Sequence, residues 1–266
     1  MSKDNILFII EGEKTENQLV QNIRKIFGDE GINNIIPFCS NIYSLYDLLK
    51  KYDFEANILE LLSETHPEKT QHIQLDKISN IFLFFDYDKQ DGHSADYKLK
   101  QLLDHFDNET EDGKLYISYP MVEAVKMAPV NRNCKSNCVF PILKLKQYKK
   151  EVNKKITNKD ATKYSDILKF SRHIWFELIY HNLCKVNCII FDKYEIPKYE
   201  DYKCIFQKAI LEGQEKKFLH KNKICVLSPF PLFILDYFGE NLYDELIYDI
   251  NNENIKNIDK HPNCPY

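Results

Sequence analysis

Two hydrophobic patterns alternate along the first half of this chain. Unbroken apolar runs, "ILFII" before Glu11 and "IFLFF" before Asp86, have the length and composition of strands buried on both faces. Between them, Leu19, Ile23, Ile26 and Phe27 recur at helical spacing, and Gly28 is placed to stop that helix. Thr15 followed by Gln18 predicts a capping box at its start. "NNIIPF" reads as a second strand, with Pro37 better suited to an edge than a centre. Ile42, Leu45, Leu48, Leu49 and Tyr52 mark a helix, with more helical sequence through Leu62. A polar connection, Glu64 to Lys77, leads into the strand that ends at Asp86. Leu99, Leu102, Leu103 and Phe106 form the next apolar stripe, and "KLYISYP" the fourth strand. The order βαβαβαβ predicts an α/β fold: a Rossmann-like, open parallel sheet flanked by helices.

Beyond about residue 125 the pattern becomes helical. Ile167, Phe170, Ile174, Leu178 and Leu183 mark a long helix carrying the single tryptophan, Trp175. Tyr199 to Leu219 reads as another helix. Ile224 to Leu227 reads as a short strand, followed by a helix begun at a proline-bearing turn. The polar tail from Asn251 reads as frayed. The expected division is therefore an α/β domain over 1–125 and a mainly helical lobe over 126–266.

Composition adds little to this until charge is mapped. The 266 residues are 44% hydrophobic and 29% charged, enough for a sizeable core. No apolar segment approaches the roughly 18–20 residues of a bilayer span, and the apolar stretch in "MSKDNILFII" is too short for a signal peptide. The expectation is a cytoplasmic protein whose eight cysteines are reduced thiols. Cys134/Cys138 and Cys184/Cys188, the latter just after His181, have zinc-like grouping but lack the close spacing and turn residues of zinc knuckles; they read as buried thiols.

Net charge is −4, yet Ala124 to Lys163 holds ten lysines and one arginine against Glu151 and Asp160, a net of +9. The remainder must then carry −13. Such segregation suits a surface that holds a phosphate backbone; a solvated lysine-rich helix is the alternative, and the segment's place directly after the candidate metal site favours the first reading.

The chemistry sits at the strand ends. In open parallel sheets, ligands bind outside the carboxyl ends of strands where strand order reverses. In a 2-1-3-4 order, Glu11 on strand one would meet Asp86 and Asp88 on strand three. Carboxylates that close repel unless a cation neutralises them, and hard oxygen donors suit Mg²⁺ or Mn²⁺. Asp86 and Asp88 would face one way if the strand ran on through both. Gly12 would let backbone approach a phosphate, and Lys14 would neutralise transition-state charge. Acids at strand ends also occur in polar loops and in receiver-like phospho-acceptor domains; the pairing of E-G on one strand with D-x-D on another is the more specific signal. His93, in the loop after strand three, reads as a solvated histidine.

"FIIEGEKTE" with "FLFFDYD" resembles the two motifs of Toprim domains, the fold of topoisomerases, bacterial primases and OLD-family nucleases. The resemblance covers roughly residues 5–125. It implies Glu11 as catalytic acid/base or second-metal ligand, and Asp86 and Asp88 as Mg²⁺ ligands. Within that superfamily the chain looks closest to small anti-phage Toprim nucleases that partner a separate ABC-type ATPase. The segment "YPMVEAVK" is similar to one in such proteins, which makes Glu123 a candidate extra metal ligand and Lys126 a candidate phosphate contact. Lys144, Lys146, Lys149 and Lys150 are then the candidate nucleic-acid contacts. No P-loop, zinc-ribbon primase module or topoisomerase cleavage domain is present in the sequence. The expectation is a metal-dependent nuclease acting on DNA or RNA. The alternatives are primase-like nucleotidyl transfer and a non-catalytic module whose acids hold a structural ion.

Overall fold

The computed structural model describes residues 5–87, 89, 93–127, 138–157 and 161–252, leaving aside the side chains of 93–95. Asp88, Cys134, the side chain of His93 and the tail beyond 252 therefore lie outside the described residues. The chain divides into two compact units, Met1–Ile117 and Ser118–Tyr266.

The first unit is built on β1 (Asn5–Ile10), α1 (Thr15–Phe27), β2 (Ile32–Pro37), α2 (Ile42–Lys50), α3 (Ile58–Thr65), α4 (Pro67–Thr70), β3 (Ile78–Asp86), α5 (His93–His105), β4 (Asp107–Asn108) and β5 (Gly113–Ser118). The strands form one sheet in the order β2-β1-β3-β5-β4. β1 runs parallel to both its neighbours, and the short β4 pairs antiparallel with β5. This is the α/β fold with a mostly parallel, helix-flanked sheet that the hydrophobic pattern predicts. The continuous apolar run of β1 follows from its central place: Ile6 through Ile10 are fully buried. Pro37 ends β2 on the sheet's edge, where its missing donor costs nothing.

Local details differ from expectation. The capping box does not form: Lys14 is the N-cap of α1, and no side chain caps that end. The stretch through Leu62 is two helices, separated by Asp53 and Phe54 with positive φ of 51° and 62°. The connection from Glu64 to Lys77 includes the single turn α4.

The second unit contains β6 (Val139–Pro141), α6 (Tyr148–Lys155), α7 (Arg172–Phe191), α8 (Tyr199–Tyr202), α9 (Gln207–Lys217), β7 (Lys223–Cys225) and α10 (Pro229–Asn251). β6 and β7 pair antiparallel. The helix expected over Tyr199 to Leu219 is two, α8 and α9. α10 starts with Pro229, as a proline at the first turn suggests, and bends at Gly239, whose φ of 71° and ψ of −156° lie outside helical values. α7 is the core of this unit, with every residue from Trp175 to Ile189 buried. Among the described residues no helix is long and apolar enough to cross a membrane.

α9 reaches α7 through a glycine. A Cβ on Gly213 would stand 2.5 Å from Ile189 Cγ2 and 2.9 Å from the Ile189 carbonyl oxygen. Alanine gains about 1 kcal/mol of helix propensity over glycine, but overpacking against backbone that cannot step aside costs about 1–3 kcal/mol. Gly213→Ala is thus expected to lower the melting temperature by a few degrees in a thermal melt. An unchanged or raised value would show that the helices separate freely.

The expectation of reduced thiols throughout is corrected here. Cys138, directly before β6, and Cys188, on α7, are both buried and disulfide-bonded. Cys184 and Cys225 are buried free thiols, and Cys39 and Cys204 exposed ones. Tertiary placement brings sulfur to sulfur in a way sequence spacing does not reveal.

Candidate active site

Parallel register fixes Glu11. Ile10 pairs with Pro37 on one side and Phe84 on the other, so the next residue leaves the sheet between β2 and β3. The Glu11 N–H donates to the Phe84 carbonyl at 3.0 Å, and its own carbonyl accepts from the Cys39 N–H at 2.9 Å. Its side chain turns toward β3, where Oε2 accepts the Asp86 N–H at 2.9 Å. Glu11 is thereby locked to both neighbouring strands, the rigid support a reacting carboxylate needs. The structure brings Glu11 and Asp86 together at the carboxyl ends of adjacent parallel strands, the edge where such sheets bind ligands.

The strand does not run on to position 88. β3 ends at Asp86, and Tyr87 turns inward, buried, with its hydroxyl donating to Asp96 Oδ1 at 2.9 Å. Strand alternation therefore gives no reason for Asp86 and Asp88 to face one way, and Asp88 lies outside the described residues. Lys14 is exposed at the start of α1. Gly12 is not open to a phosphate here: its N–H donates to Glu16 Oε1 at 3.2 Å, and a Cβ would press on the same carboxylate.

Three residues at this edge escaped the sequence reading. Glu16 is buried beside Gly12. Cys39, exposed and with a positive φ of 58°, lies just past β2; its thiol donates to Glu13 Oε1 at 3.2 Å. Lys69 on α4 donates to the Pro37 carbonyl at 2.8 Å and lies 3.2 Å from the Cys39 sulfur. Cys39 could have been found by asking which residues leave the edge strand next to Glu11. Lys69 could not, because a lone turn in a polar connection has no periodic signal.

Glu123 belongs to the second unit, not to the first as the expected division at residue 125 had it. It sits in a 3₁₀ turn, Val122–Lys126, with its side chain 8% exposed and Oε1 2.8 Å from Lys149 Nζ. Lys126 is half-buried, and its Nζ donates to the Ser165 carbonyl at 3.1 Å. Burial, then the nearby Lys149, pull its pKa below the usual lysine range, against the pull of Glu123 and Asp166. Lys144, Lys146, Lys149 and Lys150 are exposed on a 3₁₀ turn, Ile142–Gln147, and on α6. α6 is anchored by buried Tyr148 and Val152, so the lysine-rich segment is an ordered surface. Lys163, at its far end, is exposed like the others but is committed to the buried Glu177 carboxylate.

Two hard carboxylates at one strand edge are suitable donors for Mg²⁺ or Mn²⁺, though Glu11 Oε2 already accepts a backbone N–H. Among the described residues no three His, Cys, Asp or Glu side chains converge to form a complete metal site. A scan of family models finds no match to this chain, and comparisons with curated proteins and with solved structures find none either.

Proposed function

We propose that the chain is a divalent-metal-dependent nuclease, cleaving phosphodiester bonds of DNA or RNA. One observation carries the reading: Glu11 and Asp86 meet at the ends of neighbouring parallel strands, with Glu11 held by three hydrogen bonds. The resemblance to Toprim motifs assigns those two residues, with Asp88, to metal-dependent phosphoryl chemistry. Glu11 and the Asp86 carboxylate would hold Mg²⁺ or Mn²⁺. Such an ion, when bound, supplies Lewis-acid polarisation of a phosphate oxygen and lowers the pKa of water. Glu11, through the oxygen that does not face Asp86, accepts the proton of an attacking water. Lys144, Lys146 and Lys150 hold the polyanion by charge, which makes its binding strongly salt-dependent. By the same resemblance, a separate ABC-type ATPase restrains or releases the activity in anti-phage defence.

The test incubates the full chain with plasmid DNA and with total tRNA, in Mg²⁺, Mn²⁺ or EDTA. Expected is cleavage of at least one substrate with metal, none with EDTA, and loss of at least a hundredfold in Asp86→Asn. Nucleotide incorporation without cleavage points to a primase-like transferase. No turnover by the wild type on any substrate, even with an ABC-type ATPase co-expressed, together with polyanion binding that is unaltered in Asp86→Asn, overturns the enzyme reading in favour of a binding module.

A further inference from the structure

The tip of the lysine-rich segment carries one side chain that its packing does not explain. In the 3₁₀ turn Ile142–Gln147, residues three apart lie in rows along the turn. Ile142 and Leu145 form one row and are half-buried, as apolar residues should be. Leu143 lies outside that row. It shares a solvent-facing one with Lys146 and is 86% exposed, the most exposed large hydrophobic side chain among the described residues. The turn is firmly held. The Ile142 N–H donates to the Asn222 carbonyl at 2.9 Å, and Pro141 before it is paired with Lys223 across β6 and β7. Tyr148, directly after the turn, is wholly buried and packs edge-on against Phe140. A rigid mount thus presents one bare aliphatic side chain beside Lys144, Lys146 and the exposed lysines of α6.

We propose that Leu143 is a wedge that enters the minor groove of duplex DNA and slips between adjacent base pairs, while the lysines around it hold the flanking phosphates. The identity of the polyanion rests on the nuclease reading; the wedge adds which form of it binds, a duplex that kinks readily, above all at a pyrimidine–purine step. Leucine is among the side chains that part base steps in this way, and unstacking is easiest where the step is flexible. Charge and shape select the occupant. A second copy meeting this tip with its own would oppose lysine to lysine. A lipid surface takes up a whole apolar helix face, but the apolar residues of α6, Tyr148 and Val152, are buried in the protein. Single-stranded RNA is read by stacking on exposed rings, and the ring of this segment, Tyr148, is not exposed. One aliphatic side chain among cations matches a groove walled by phosphates. Its rigid mount matters too, because a tip that yielded would fold over rather than part the bases.

The experiment places the fluorescent base 2-aminopurine at the single TA step of an otherwise G·C-rich duplex. The full chain is titrated in EDTA, so that a metal-dependent nuclease leaves the duplex whole, and binding is followed separately by anisotropy of an end label. At saturation the wild type is expected to raise 2-aminopurine emission about threefold, the sign of an unstacked base. Leu143→Ala, its fold checked by a thermal melt, should bind within about threefold of wild type yet leave emission near that of free duplex. Leu143→Phe should restore the rise. Lys146→Met should weaken binding and lower its salt slope by about 1, with the rise intact at saturation. No rise in the wild type, or an equal rise in Leu143→Ala, overturns the proposal. So does capture by phosphatidylserine vesicles, or self-association in sedimentation, that Leu143→Ala abolishes. A rise without cleavage in Mg²⁺ or Mn²⁺ sustains the wedge and counts against the nuclease reading, whereas cleavage without a rise removes the wedge alone. A wild type that cleaves tRNA but binds no duplex likewise overturns the wedge and keeps the nuclease.

Discussion

Glu11→Gln is expected to abolish metal-dependent cleavage while leaving the fold intact. Glutamine keeps a carbonyl oxygen where Oε2 accepts the Asp86 N–H, so the contact that joins β1 to β3 at this edge survives. The backbone bonds of Glu11 to Phe84 and Cys39 do not depend on the side chain at all. Stability should thus change by less than about 1 kcal/mol, within the range of substitutions that spare packing and buried polar groups. Activity is another matter, because the substitution removes both a metal-donor charge and the base. Loss of a general base alone costs about 10²–10⁴ in rate. The expected outcome is a protein with wild-type melting temperature, unaltered salt-dependent binding to duplex, and turnover reduced by at least a hundredfold. Comparable turnover in Glu11→Gln would remove this carboxylate from the chemistry and leave it the structural duty of bridging two strands.

How much of this arrangement was legible beforehand depended on the kind of signal. β1 and β3 stand out because a strand covered on both faces has no polar alternation to dilute it, and Ile6 through Ile10 are indeed wholly buried. Placing Glu11 near Asp86 then needed only the usual strand order of an open parallel sheet, and the order found is the one required. β4 and β6 were invisible, since two or three residues cannot display a period. The capping box failed because Thr15 already has helical geometry, leaving Lys14 as N-cap. Glu16, Cys39 and Lys69 were missed because each becomes relevant only through what the turns after β1 and β2 bring together.

α7 holds polar residues whose fate the sequence pattern did not address. Glu177, His181 and Lys185 recur four apart along it. All three are buried. Glu177 is neutralised by Lys163, whose Nζ lies 2.7 Å from Oε1, and it accepts the Tyr164 hydroxyl at 2.8 Å. His173, one turn earlier, approaches the same carboxylate at 3.4 Å. The lysine-rich segment is thereby pinned at its end to the core helix, a role that charge counting alone would have assigned to phosphate. Polar residues in a buried helix are tolerated only when each finds a partner or gives up its charge, and sequence cannot say which.

His181 gives up its charge, while Lys185 keeps its own below about pH 8 at a cost, and the stability of the second unit should therefore rise with pH across two windows. Burial first, then the positive charges of Lys185 and Lys163, push the His181 pKa down to about 3. In the unfolded chain it returns to about 6.5. Between those values the unfolded state binds the extra proton, so stability is complete above about pH 6.5 and is lost as pH falls toward 3, by up to roughly 5 kcal/mol. Burial likewise lowers Lys185 to about 8, against a smaller upward pull from the Cys225 and Cys184 thiols facing it. Below that value the fold carries a buried ammonium, a cost of roughly 3 kcal/mol that is relieved as pH rises from 8 to about 10.4. Lys185→Met fills the same space without charge. It is expected to raise the melting temperature at pH 7 by about 5 °C, and to flatten the rise between pH 8 and 10. The two sites are one helical turn apart and coupled, so their effects should not add. Removing the Lys185 charge lets His181 accept a proton more readily, and the acid transition of Lys185→Met should move to lower pH with a shallower slope. An acid limb identical to that of the wild type, measured by thermal melts from pH 4 to 7, would show that the two groups do not sense each other across α7.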